Sequence, residues 1–553
     1  MQGKKKLTLL AAACALMLSA CNFTGSSSTP APATGETGTE ANTETAATSP
    51  QVLNLVETSD ISSLDVMTAH DSYSNNVLSN AMEGLYGLDK QGQPVLTGAS
   101  EHKVSEDGLT HTFTIRDSVW SNGDPVKASD YEFAWKRTFR ETGYYGYMFS
   151  NAKILNADRI AKGEATPDEL GVKAEDDKTL VVTLSAPSPL LPSYLMFTPF
   201  FPVNEKLVTE LGDKYGLEAN QVVYNGPFVV EEWKHEQGWK LTKNDQYWDK
   251  DAVQIEEINV FVVKEESTAV NLFDTGKVDR IKISSAYVDQ YKNDPAYSIE
   301  NRGGLGFLRF NHGHEALSNK NIRKAIDLAI DKQGLADIVI NNGSSPTYFL
   351  VPKSASPSPG GKNFREINGD FTGTAEDAKA AFQQGLSEIG ASTVSLNILA
   401  ADTTESKSIA EYLKNQLETN LEGLEIKISV QPLQRRLELE KAIDYDISIS
   451  TYVPLNSDPI SYLEMFETDG NFNRMGYSNP RYDELVTQAK AELDMEKRYD
   501  LMLEAEKILF EDAAIAPLYQ SADSIVQKPY VKDFVSYPAM PQHGYKWVKI
   551  EGK

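Results

Sequence analysis

The stretch from Phe113 to Arg137 reads FTIRDSVWSNGDPVKASDYEFAWKR. Apolar and polar side chains alternate at its start, and with β-branched Thr112, Thr114 and Ile115 this predicts a strand over Thr112 to Arg116. Ser-Asn-Gly-Asp-Pro follows, a run whose residues tolerate positive φ, bond their own backbone or fix φ, so the chain turns there. A helix is expected next, capped by Ser129 or Asp130, whose side-chain oxygens can accept from the free N–H groups of its first turn.

The same reasoning runs outward in both directions. Strands are predicted at Gln51 to Glu57, Thr179 to Leu184, Phe228 to Trp233, Trp239 to Lys243 and Ile258 to Val263. Between about 310 and 450 the pattern becomes an alternation of helix and strand. Ile322, Ala325, Ile326, Ala329 and Ile330 share one helical face, and Glu376 to Leu386 and Ser406 to Leu417 read as helices. Val394 to Leu399 and Glu425 to Val430 read as strands. Such alternation implies a parallel or mixed sheet with crossover helices, hence two α/β regions with a β-rich insertion in the first. No internal repeat is evident.

The 553 residues are 41% hydrophobic and 24% charged, ordinary for folded protein, and the net charge is -26. That balance excludes a nucleic-acid partner, whose phosphates demand a basic face. Lys4, Lys5 and Lys6 precede an uncharged run from Leu7 to Ala20, the charged and apolar parts of a secretion signal and too short for a membrane-spanning helix. The run ends in Leu18-Ser19-Ala20-Cys21, which resembles the lipobox of bacterial lipoproteins. That resemblance implies residues 1–20 as signal peptide and lipidation of Cys21, where two or three chains anchor firmly, at about 0.8 kcal/mol per buried CH₂. Asn22 to Pro50, rich in Ser, Thr, Ala, Gly, Glu and Pro, lacks the apolar surface to order itself. Residues 21–50 therefore form a lipidated cysteine and tether with a reach on the order of 30 Å. This suits the outer face of the cell membrane of a single-membrane bacterium. Cys14, inside the signal, is the other cysteine, so the exported body has neither a disulfide nor a thiol ligand.

Residues that would carry a reaction do not assemble. His314-Glu315 and His235-Glu236 lack a second histidine one turn later, and neither a Gly-x-Ser-x-Gly elbow nor a phosphate-binding Gly-rich loop with Lys occurs. His312 and His314, two apart in a glycine-containing turn, read as solvated rather than metal-binding, and neither metal nor cofactor is expected. With 79 Asp and Glu residues, carboxylate pairs suited to glycoside hydrolysis remain open, because their separation is a spatial quantity.

Five segments together carry a resemblance: Phe113 to Arg137, Tyr224 to Trp233 (YNGPFVVEEW) with Asn244 to Asp249 (NDQYWD), Asn319 to Leu335 (NKNIRKAIDLAIDKQGL), Gly476 to Leu485 (GYSNPRYDEL), and Ala505 to Tyr519 (AEKILFEDAAIAPLY). In this order they resemble the extracellular peptide-binding proteins of ABC importers, the oligopeptide-binding family of solute-binding proteins, over essentially all of Val52 to Lys553. The resemblance implies an α/β, two-lobed, periplasmic-binding-protein-like fold with an extra domain inserted in the first lobe. Mapped here, 51–86, 204–306 and 515–553 form the first lobe, 87–203 the inserted domain and 307–514 the second lobe, with the hinge near Phe307 to Asn311 and Ala514 to Tyr519. Trp120, Pro125, Trp135, Pro227 and Trp248 read as core or turn residues.

In that family an extended peptide pairs its backbone with an early first-lobe loop and a second-lobe strand, here matching His70-Asp71-Ser72 and Thr451-Tyr452-Val453. Such pairing reads what all peptides share and leaves side chains in roomy, wet pockets. Of Tyr144, Tyr145 and Tyr147, Tyr147 is the favoured ligand-facing ring, and Phe307, Tyr519 and the polar-loop residue Asn473 are further candidates. One departure stands out: the acidic residue that relatives carry four before the proline of Asp458-Pro459 is Leu455 here. Asp458 itself reads as a turn residue. A lipid-anchored, monomeric receptor is therefore expected, binding extracellular peptides for nutrition or pheromone sensing and delivering them to the membrane permease subunits of an ABC importer. The rival readings are the same fold binding nickel, haem or an oligosaccharide, and a carboxylate-dependent hydrolase.

Overall fold

The strands Tyr297–Phe310 and Ile515–Gln527 run antiparallel through the middle of an 11-stranded sheet, and each contributes to both halves of it. In this computed structural model residues 50–140, 144–454, 456–470, 472–539 and 541–553 are described, and Cys21 and Leu455 lie outside them. On one side of the crossing pair, Arg280–Ile283 joins Ser524 to Gln527. Val52–Glu57, Glu257–Val262, Gly238–Lys243 and Phe228–Lys234 follow outward. On the other side come Ile447–Tyr452, Val394–Ala401 and Leu424–Gln431. The last two are parallel and joined by the helix Thr404–Asn420, the crossover that the alternation predicted.

Side-chain alternation along the crossing strand separates the cores of the second lobe. Leu308 and Phe310 point into one cluster with Ile322, Phe382, Leu396 and Leu413. Leu305 and Phe307 point into the other, with Phe364, Phe466, Tyr482 and Leu503. A third cluster unites Leu53, Leu55 and Phe228 with Trp120 and Trp135, so the inserted segment shares its core with the first lobe. Trp120 and Trp135 are buried as expected, whereas Trp248 is exposed between Arg116, 3.9 Å from its ring, and Lys546.

The ladder between the crossing strands shifts register between Asn301 and Leu305, where Gly303 and Gly304 sit. Gly303 donates its N–H to Pro538 C=O at 2.9 Å rather than to the ladder. The sequence expectation put the hinge near Phe307 to Asn311 and Ala514 to Tyr519, next to this irregular stretch. The first of these segments is paired on both flanks from Phe307 to Arg309, and the ladder is irregular just before it, between Asn301 and Leu305 and again between Gly306 and Phe307. Close approach also fixes Gly306: a Cβ there would lie 2.2 Å from the Tyr519 ring.

The inserted segment forms a four-stranded sheet, Ala99–Val104, Thr110–Ile115, Thr179–Thr183 and Val172–Ala174, against the helix Ala128–Arg140. That helix begins before both expected caps. Asp130 lies inside its first turn and reaches back, accepting from the Lys127 N–H at 3.0 Å and the Trp120 indole N–H at 3.1 Å. Buried Trp120 thus takes the oxygen that local reasoning assigned to capping alone.

On this sheet Tyr86 Oη, His102 and His111 form a hydrogen-bonded chain, 2.9 Å and 2.8 Å, ending on Gly108 C=O. Burial, and then the neighbouring His111, push the His102 imidazole down to about 4, and burial lowers His111 too. Because the folded value lies below the unfolded one, this pair's contribution is complete above about pH 6.5 and is lost as pH falls toward 4. The melting temperature is expected to fall over that interval, and to fall less in His102→Gln. Identical pH profiles for the two proteins would contradict this.

Candidate functional site

The loop read as ligand-facing is held rigidly from behind. Ala69 C=O accepts from Tyr145 Oη at 2.5 Å and from Asn75 Nδ2 at 3.0 Å. Asp71 caps the helix Ser72–Ala81, accepting from Ser74 N–H at 2.8 Å, and also takes the hydroxyls of Ser74 and Ser62. Burial alone would raise its carboxyl, but these hydrogen bonds outweigh it and hold Asp71 below the ordinary range. His70 is exposed, with its ring centroid 3.9 Å from that of Tyr144 and 5.4 Å from that of Tyr145. Tyr147, on the short helix Gly146–Asn151, is 49% exposed. Its hydroxyl is raised by partial burial and by Tyr144 beside it. Loop and inserted domain together present an aromatic shelf with polar tips.

The second candidate element is the end of the strand Ile447–Tyr452. One edge pairs with the crossing strand from Ile447 to Tyr452. The other edge pairs with Val394–Ala401 only at Ile447 and Ser448. From Ile449 onward no second strand covers it among the described residues, although Arg436 Nη1 donates to Ile449 C=O at 2.5 Å. Thr451 and Val453 are exposed there, and Tyr452 Oη donates to Ser461 C=O at 2.6 Å. An open strand edge is suited to backbone pairing with an extended chain.

Tyr194, which no sequence motif flags, ties the two sides together. It is buried, which raises its hydroxyl most, and Glu464, Asp458 and Tyr452 of the second lobe and Tyr147 of the insertion raise it further. Glu464 is likewise held above the usual carboxylate range by burial, against the pull of Lys490 at 3.3 Å. These two residues were illegible because only folding brings their segments together.

Other candidates have structural work. Phe307 is 1% and Tyr519 5% exposed, both inside core clusters, so neither ring lies on the cleft surface. Asn473 is braced rather than solvated, its Nδ2 donating to Glu467 C=O and Tyr477 C=O at 3.0 and 2.7 Å. His312, read as solvated, is half-buried and bonds through Nε2 to Ala514 C=O at 3.0 Å. Asp458 is a turn residue as expected: Oδ1 accepts from Ile460 N–H, and both oxygens accept from Arg498 at 2.8 Å. Arg498 is 1% exposed, so Asp458→Ala strands a buried cation and is expected to cost about 3–5 kcal/mol in urea unfolding. Lost peptide affinity with a stability change below about 1 kcal/mol would assign Asp458 to the ligand instead.

Comparison with known proteins gives a consistent picture. The model for "Bacterial extracellular solute-binding proteins, family 5 Middle" matches residues 93–474. The dipeptide-binding protein DppE of Bacillus subtilis is 35% identical over 91% of this chain and 93% of its own length. The structure of Listeria monocytogenes OppA bound to peptide is 40% identical, with a TM-score of 0.71 over 91% of this chain and 100% of that one. The unliganded open form of the murein tripeptide-binding protein MppA is only 25% identical but has a TM-score of 0.79, over 91% of this chain and 98% of that one.

Proposed function

Since the chain belongs to family 5 of the bacterial extracellular solute-binding proteins, we propose that it captures extracellular peptides between its lobes and delivers them to the permease subunits of an ABC importer. The observation that carries this reading is the uncovered strand edge beyond Ser448, whose Tyr452 lies by Tyr194 and, through it, by Tyr147 of the inserted domain. The arrangement offers backbone partners and aromatic surface, and it calls for no chemical step by the protein. Both sides of the cleft come from one chain, so a monomer suffices.

Asp71 and Asp458, the acids next in line for a peptide's ammonium once position 455 is leucine, are both engaged by protein donors. An N-acetylated peptide is therefore expected to bind as tightly as its free counterpart in calorimetry, stoichiometrically and unchanged by mass spectrometry. A hundredfold loss on acetylation, about 2.7 kcal/mol, would show that an acid grips the amino end. Cleaved products would favour a hydrolase, and co-purified metal, haem or sugar would favour the other ligand classes.

The lipid anchor at Cys21 and an address on the outer face of the cell membrane complete the proposal, supported by the Lys4 to Cys21 pattern. Cys21→Ser is expected to release the protein into the medium with peptide affinity intact. A variant retained in the membrane fraction would place the anchor elsewhere.

A further inference from the structure

A cavity of about 480 Å³ opens in the first lobe at the carboxyl ends of the strands Val52–Glu57, Glu257–Val262 and Arg280–Ile283. Ligands of open α/β sheets gather at such strand ends. Ser72, of the loop read as peptide-facing, is on its rim, so the cavity continues the proposed peptide track into the first lobe.

Its wall carries an unbalanced set of charges. Arg280 pairs with Glu300 at 2.7 Å, while Arg302 and Lys282 share the single carboxylate of Asp523 at 2.6 and 2.5 Å. Three cations thus face two carboxylates. Glu57 is the third acid, and no hydrogen bond or ion pair reaches its side chain among the described residues. Burial pushes its carboxyl up to about 7, against the opposing pull of Lys282, Arg280 and Arg302. The other groups at the cavity are committed or neutral. Lys264 pairs with Glu236, Glu266 accepts from the Ser284 N–H and hydroxyl and keeps its negative charge, and Tyr73 bonds Thr58. His543 is kept uncharged by burial and by the same three cations. Tyr545 Oη accepts from Asn76, and burial, then Glu57, raise its hydroxyl.

A cluster in which Arg280, Lys282 and Arg302 outnumber their two partner carboxylates, beside a proton-bearing acid, matches an anion that can accept a hydrogen bond. We propose that this cavity is a carboxylate-binding subsite, engaging either an acidic side chain or the C-terminal carboxylate of the captured ligand through the Arg280, Lys282 and Arg302 cluster and the Glu57 hydroxyl. The proposal rests on the peptide-receptor reading. Burying a second carboxylate beside Glu57 favours Glu57's protonated form, so binding takes up a proton and weakens as pH rises through 7. Selection comes from charge balance, not from shape alone.

Calorimetry on one binding peptide made in four forms, with an internal Glu or Gln and with a free or amidated C-terminus, identifies which carboxylate enters. At pH 6 one of the two replacements is expected to weaken binding at least tenfold, and at pH 8 the loss shrinks. Lys282→Gln, at a side chain 67% exposed and tolerant of change, is expected to remove most of that preference. Glu57→Gln, whose amide still donates, keeps the preference at both pH values. Equal binding of all four forms at pH 6 would overturn the subsite while leaving the peptide receptor standing, whereas no binding of any form would overturn both.

Discussion

Everything in this molecule hangs on two antiparallel strands that belong to both halves of one sheet. A sheet whose ladder ran unbroken through Tyr297–Phe310 and Ile515–Gln527 would be stiff, because each backbone N–H and C=O would be fixed by its opposite number. The register shift at Asn301 to Leu305 removes part of that ladder where Gly303 and Gly304 leave the backbone least encumbered. On one side of the break the strands are paired antiparallel into the mixed sheet of the second lobe, and on the other into that of the first. The break is where the fewest hydrogen bonds between the crossing strands would resist a rotation, and closure is predicted about it.

The packing commits several acids near the proposed cleft to structural partners. Acids that sequence alone leaves available are consumed by the fold: Asp71 caps a helix, Asp458 neutralises buried Arg498, and Asp130 holds Trp120. Such commitments fix the loops that flank the cleft, since releasing any one of them leaves a buried donor unpaired. The aromatic residues Tyr144 and Tyr147 then supply surface with hydroxyl tips, backed by buried Tyr194. That combination favours a flexible, chemically ordinary ligand held by many modest contacts.

Much of the architecture was legible in the sequence because local physics decides it. The alternation in Thr179–Thr183 and Gly238–Lys243, and the helix-strand alternation after residue 310, predict the observed elements within a few residues. The helix cap at Ala128 was misread because Asp130 is drawn to Trp120, a contact local reasoning did not credit. Phe307 and Tyr519 lie near the crossing in sequence, yet close packing turns both rings into cores. Tyr194 and Glu464 occur in segments that no sequence motif marks, and the fold alone brings them near Tyr147 and Tyr452. Periodicity speaks to which face a side chain takes, and it is silent on what stands opposite.

The shape resembles an unliganded open relative more than a peptide-bound one of higher identity, as expected if the described conformation is the one that awaits ligand. Small-angle scattering tests the central claim of closure about the glycine break most directly. A smaller radius of gyration at saturating peptide is predicted, whereas an unchanged radius with saturation demonstrated in the same sample would contradict it.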